Sequence, residues 1–209
     1  MAMATEKPTT TPSTGTTPDM GAWGTIKLAL TGKELEFTSG PIGRAIVLLA
    51  IPMVLEMVME SVFALTDAFF VSRLGTEAVA TVGLTEAMIS ILFAIAIGSG
   101  MATTAMVARR IGEKNTAGAR VAAAQSILLG LMLTLVVALP GFVFAKDLLR
   151  LMGGTPELIA SGHGYTRVLF GGSATIMLLF LLNAVFRGAG DAAIAMRVLW
   201  VANAVNIVL

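Results

Sequence analysis

Residues 51–75 read IPMVLEMVMESVFALTDAFFVSRLG. Most of these side chains are oily enough for lipid, yet Glu56, Glu60 and Asp67 interrupt them. A bilayer core of roughly 30 Å takes about 20 apolar residues in helix, and the run from Ala45 to Ser72 is long enough to cross it. An acid at the centre of such a helix costs about 2.5–3.5 kcal/mol on insertion scales, so acids there turn to the bundle interior or to a cavity. Each helical residue rotates by about 100°, which puts Glu60 about 40° and Asp67 about 20° from Glu56. The three carboxylates therefore share one narrow stripe. Glu56 and Glu60, one turn apart, repel, and crowding of this kind favours a proton shared between them. The expectation is a cation-coupling stripe of Asp67, Glu60 and Glu56. Two blander roles stay open: Asp67 solvated among outer headgroups near Arg73, and Glu60 hydrogen-bonded to a neighbouring helix.

Composition agrees with a membrane protein. The chain has 209 residues, 56% hydrophobic and only 13% charged, where soluble domains run nearer a quarter charged. A net charge of +1 leaves no basic field for nucleic acid. The absence of cysteine excludes disulfides, thiolate metal sites and a cysteine nucleophile. The lone histidine, His163, argues against a histidine-rich metal site or a Ser-His-Asp triad. No resident cofactor and no enzyme chemistry are expected.

Residues 1–24 are Thr- and Pro-rich at first and lack the apolar core of a signal peptide, so they read as a disordered tail. Residues 25–43 are mildly amphipathic and read as an interfacial segment. The rest, 44–209, is a transmembrane bundle, an all-α polytopic fold with spans at about 45–72, 78–108, 121–145 and 164–186. A fifth begins after RGAGD (187–191) and is incomplete over 192–209, which reads as a chain that is part of a longer protein. Pro52 and Pro140 lie inside spans, where neighbouring helices re-satisfy freed carbonyls, and Pro52 is expected to kink the first helix.

Loop charges orient the bundle. Of 14 Lys and Arg residues, ten (Lys7, Lys27, Lys33, Arg44, Arg109, Arg110, Lys114, Arg120, Arg187, Arg197) fall on the side of the N-terminus. Arg73, Lys146 and Arg150 fall on the other side, and Arg167 lies within the fourth span. This imbalance predicts a cytoplasmic N-terminus. Asn183, Asn203 and Asn206 are the amides within the later spans, able to relay a hydrogen bond or ligate a cation, or simply to join helices. Gly98 and Gly100 suit close packing or bending rather than phosphate binding, for no nucleotide-binding motif is present. Met53, Met57 and Met59 form a stripe suited to core or to a promiscuous binding wall.

Three segments carry a family resemblance: AIPMVLEMVMESVFALTDAFFVSRLGTEAVATVGL (50–84), VARRIGEKN (107–115) and NAVFRGAGD (183–191). In order and spacing they resemble the multidrug and toxic compound extrusion (MATE) transporters, over about residues 41–209. The resemblance implies a twelve-helix protein of two six-helix bundles that alternates between outward and inward openings, with this chain as most of the N-terminal bundle. It implies exchange of external protons or sodium for drugs, often organic cations, across a bacterial or archaeal inner membrane. It implies a coupling role for Asp67, in LTDAFFVSRLG, and a shared cavity, or a sodium site, with Asn183 and Asn206. Glu56 and Glu60 go beyond what the resemblance carries. The implied partners are membrane lipids, a cationic small molecule and the missing C-terminal half. Lipid-linked oligosaccharide flippases share the fold and would ask for basic residues in the cavity, where the recognisable residues are acids and amides. A dimerising or non-functional half-transporter is the remaining alternative.

Overall fold

The computed structural model describes Gly24, Ile26, Lys27, Leu30 and the continuous stretch 42–208. The tail and interfacial segment expected over 1–43 therefore lie, but for a few positions, outside the described residues. The continuous stretch folds as α1 Ile42–Ser72, α2 Thr76–Gly112, α3 Thr116–Val143, α4 Ala145–Leu151, α5 Pro156–Gly188 and α6 Ala192–Val208. Of these, α1 (from Ala45), α2, α3 and α5 are long and apolar enough to cross a membrane. The short α4 goes beyond the sequence expectation: the third span is expected to reach 145, but its helix ends at Val143 and α4 follows.

Local chemistry sets the helix ends. Between α1 and α2 the chain reverses through Gly75 at φ 103°, a left-handed conformation that a side chain would strain. Arg73 lays its guanidinium 4.4 Å above the Phe69 ring at that turn. The Asn115 side chain caps α3 by accepting a hydrogen bond from the Gly118 amide at 2.8 Å. Thr155 Oγ1 does the same for α5, accepting from Leu158, with Pro156 at the first helical position. Asp191 Oδ1 accepts from the Ile194 amide at 3.2 Å and opens α6.

The helices form two groups. In one, α2, α3 and α5 pack around Ile89, Leu92, Ala96, Phe170, Met177 and Leu181. Helices α2 and α5 run parallel, because Thr85 meets Thr166 near their starts and Thr104 meets Ala184 near their ends. Small residues let them approach: a Cβ on Gly188 would come within 2.8 Å of the Thr104 carbonyl oxygen. Gly100 is buried against Ala184, whereas Gly98 has nothing within 4 Å of a Cβ position. In the other group α1 lies along α6, and buried Asn203 donates to the Met59 carbonyl at 3.2 Å. Much of α1 presents exposed apolar side chains, Ile46, Met57, Leu65 and Phe70 among them. Two cavities lie between the groups.

Candidate functional site

A cavity of about 150 Å³ lies where α1, α5 and α6 face each other. Met53, Glu56, Met57 and Glu60 line it from α1, Leu179, Phe180, Asn183 and Arg187 from α5, and Leu199 from α6. Helical periodicity assembles this wall. Glu56 and Glu60 are one turn apart on α1, and Asn183 and Arg187 are one turn apart on α5, so each pair shares a face. A second cavity of about 440 Å³ adjoins it, lined mostly by apolar residues of α1 and α2, and shares Met53, Phe180 and Arg187.

The principal polar contact in the cavity is an ion pair. Arg187 Nη1 donates to both carboxylate oxygens of Glu56, at 3.3 and 3.4 Å. Both side chains are mostly buried, 22% and 15% exposed. The other ion pairs among the described residues, Arg109–Glu113, Arg110–Glu113 and Arg150–Asp147, lie within one helical turn. Only Glu56–Arg187 joins two helices among the described residues. This corrects the reading of Arg187 as a loop charge that helps set orientation. It sits inside the last turn of α5 and turns inward, because a buried carboxylate on α1 offers the partner that desolvation demands.

The structure divides the acid stripe. Glu56 and Glu60 line one cavity with Asn183, while Asp67, eleven residues beyond Glu56, lies about 16 Å further along the α1 axis at 1.5 Å per residue. Asp67 is half-buried. Asn203 is buried and occupied as a helix-joining donor to Met59, the blander of its two roles. Asn206 lies on α6, with its side chain outside the described residues. Arg167 stacks over Phe142 at 4.6 Å, and His163 Nδ1 donates to the Ile159 carbonyl at 2.9 Å. Sequence reasoning missed Arg187. The spacing of Asn183 and Arg187, four apart in NAVFRG, was the available signal that Arg187 shares the face of Asn183.

A site of two carboxylates, one guanidinium and one amide, walled by Met and Phe, suits reversible binding of charged, partly apolar solutes. No group of three or more His, Cys, Asp or Glu side chains placed to hold a metal ion occurs among the described residues.

Comparison with known proteins adds kinship. The MatE family model matches residues 52–209. The chain is 30% identical over 171 residues to the FAD transporter of Shewanella oneidensis, covering 82% of this chain and 38% of that protein. It is 30% identical over 167 residues to the probable multidrug resistance protein YoeA of Bacillus subtilis, covering 79% of this chain and 36% of that one. Among solved structures, an outward-facing multidrug resistance MATE family transporter of the MOP superfamily superposes with a TM-score of 0.75 at 33% identity, covering 88% of this chain and 39% of that one. A MATE in complex with MaD5 gives 0.78 at 34% identity, with 85% and 40% covered. The chain thus spans well under half the length of the proteins it matches.

Proposed function

This chain belongs to the MatE family, and from that premise we propose that it forms most of the N-terminal bundle of a secondary antiporter. That transporter exports drugs or organic cations in exchange for protons or sodium. A second bundle completes the substrate passage. The N-terminus faces the cytoplasm of a bacterial or archaeal inner membrane, in keeping with the basic loops on that side.

One observation carries the reading: two membrane-embedded carboxylates, Glu56 and Glu60, line a cavity between helices. Asp67 takes up the driving cation nearer the other end of α1, and competition between that cation and cargo couples their movements. Linkage makes the coupling reciprocal. The names of the relatives, multidrug resistance proteins in several bacteria, support drug export. Sodium, if it is the coupling ion, would be held by Asp67 apart from Asn183, which lines the cavity of Glu56 and Glu60 instead.

Asp67→Asn in the complete transporter tests this. Efflux of a fluorescent organic cation should be lost while the protein still reaches the membrane; undiminished efflux would overturn the reading.

A second reading is favoured by Arg187. A flippase of lipid-linked precursors, or a carrier of anionic solutes, requires a cavity cation, and Arg187 is one. Its charge is offset by Glu56, and the second carboxyl of Glu60 beside them favours cationic cargo. Altered envelope polymer assembly without altered drug sensitivity, on deletion of the gene, would favour the flippase.

A further inference from the structure

Glu56 and Arg187 form an ion pair of loose geometry. Arginine usually grips a carboxylate with two nitrogens, at about 2.7–2.9 Å. Here a single nitrogen, Nη1, spans both oxygens at 3.3 and 3.4 Å. The pair is also reachable, since both side chains line an open cavity. One turn along α1, Glu60 lines the same cavity and forms no ion pair among the described residues. The wall therefore holds two carboxyl groups against one guanidinium. Beside it, the larger cavity offers an apolar bed with Met53 and Phe180 at the junction. Polarizable Met and the face of a Phe ring favour a soft organic cation over a hydrated inorganic one.

The geometry points to Arg187 as a tethered competing cation: its guanidinium occupies the Glu56 carboxylate until the positive group of an amphiphilic organic cation displaces it. Such a cargo lays its apolar body in the larger cavity and its charge between Glu56 and Glu60. Arg187 is thus a specificity-determining residue. It sets how strong a cation must be to enter, and it keeps Glu56 from standing bare in an empty cavity. The inference rests on the reading of the chain as part of a cation exporter and extends it to a residue outside the acid stripe.

The test is equilibrium binding of ethidium to the 209-residue chain in uncharged maltoside micelles, read by fluorescence polarisation at low salt. Arg187→Gln removes the competitor and should tighten binding by about tenfold, whereas Arg187→Lys should stay within about threefold of the parent. Adding Glu56→Gln to Arg187→Gln should cancel the gain. Glu56→Gln alone should lose ethidium and gain the anionic probe anilinonaphthalene sulfonate, because Arg187 is then free. Circular dichroism and a single elution peak show that each variant folds; should Arg187→Gln fail there, the Glu56→Gln and Arg187→Lys results decide. Ethidium binding that Arg187→Gln leaves unchanged or weakens overturns the proposal. So does a parent chain that binds no ethidium, or one that prefers the anionic probe through Arg187. No ion gradient is present in this measurement. Its outcome is therefore separable from that of the antiport reading, which stands or falls on gradient-driven efflux by the Asp67→Asn transporter.

Discussion

Thr85 on α2 and Thr166 on α5 join their hydroxyls in a hydrogen bond of 2.9 Å, with both side chains fully buried. Their hydroxyls also have helix carbonyls at hand, that of Thr81 for Thr85 and that of Gly162 for Thr166, so the contact adds an interhelical link without leaving a polar atom unmet. In lipid such links hold helices together where the hydrophobic effect between them is absent. Replacing both threonines by valine should lower stability by about 0.6–1.7 kcal/mol through the lost pair. A double-mutant cycle on unfolding in mixed micelles measures that coupling; a value of zero would show the bond is incidental.

The approach of α2 to α5 at Gly188 allows a sharper test. A methyl there meets the Thr104 carbonyl oxygen and the Val107 Cβ, neither of which can swing aside. Gly188→Ala should cost about 1–3 kcal/mol by overpacking. Gly98→Ala, with nothing within 4 Å, should be neutral or slightly stabilising in the same unfolding assay.

Asn203 should behave as a joint between α1 and α6 rather than as a cargo contact. Its buried amide donates to the Met59 carbonyl. Asn203→Ala should weaken the bundle by about 1 kcal/mol, a typical interhelical hydrogen bond, and leave ethidium affinity unchanged once folding is controlled for. A selective loss of binding at full stability would place Asn203 in the cargo site instead.

The loop between α2 and α3 should respond to acid. The Arg109 guanidinium hydrogen-bonded to Glu113, with Arg110 beside it, holds the Glu113 carboxyl below its ordinary value of 4.5. A carboxylate lowered on folding stabilises above its ordinary value and loses that contribution as pH falls through the lowered one. Amide protection around residues 113–118, taken relative to the unstructured-chain rate at each pH, should therefore fall below about pH 4.5. Glu113→Gln should remove that dependence, the effect being small because the group is exposed.

The spans were largely legible because each is a local property. About twenty apolar residues in a row suffice, whatever surrounds them. The caps at Asn115 and Thr155 and the turn at Gly75 are local too. Helix α4 escaped because Ala145–Leu151 carries Lys146, Asp147 and Arg150 among its apolar residues and is too short to cross; only a break at Phe144 separates it from α3. The candidate site was half legible. Rotation by about 100° per residue placed Glu56 and Glu60 on one face, and they do share a cavity. The same arithmetic ranked Asp67 with them, since a helical wheel collapses the axis and hides a separation of about 16 Å.

What the sequence determined alone is which stretches are long and apolar enough to cross the membrane, and that Glu56 and Glu60 share a face, because hydropathy and helical pitch act within a few residues. Which cation those acids meet was decided only by the tertiary structure. Glu56 and Arg187 stand 131 positions apart, and their meeting depends on how α1 and α6 settle against α5. Nothing local in either segment encodes that packing. An arginine that the count of loop charges had assigned to the water's edge thereby became the counter-charge of the cavity.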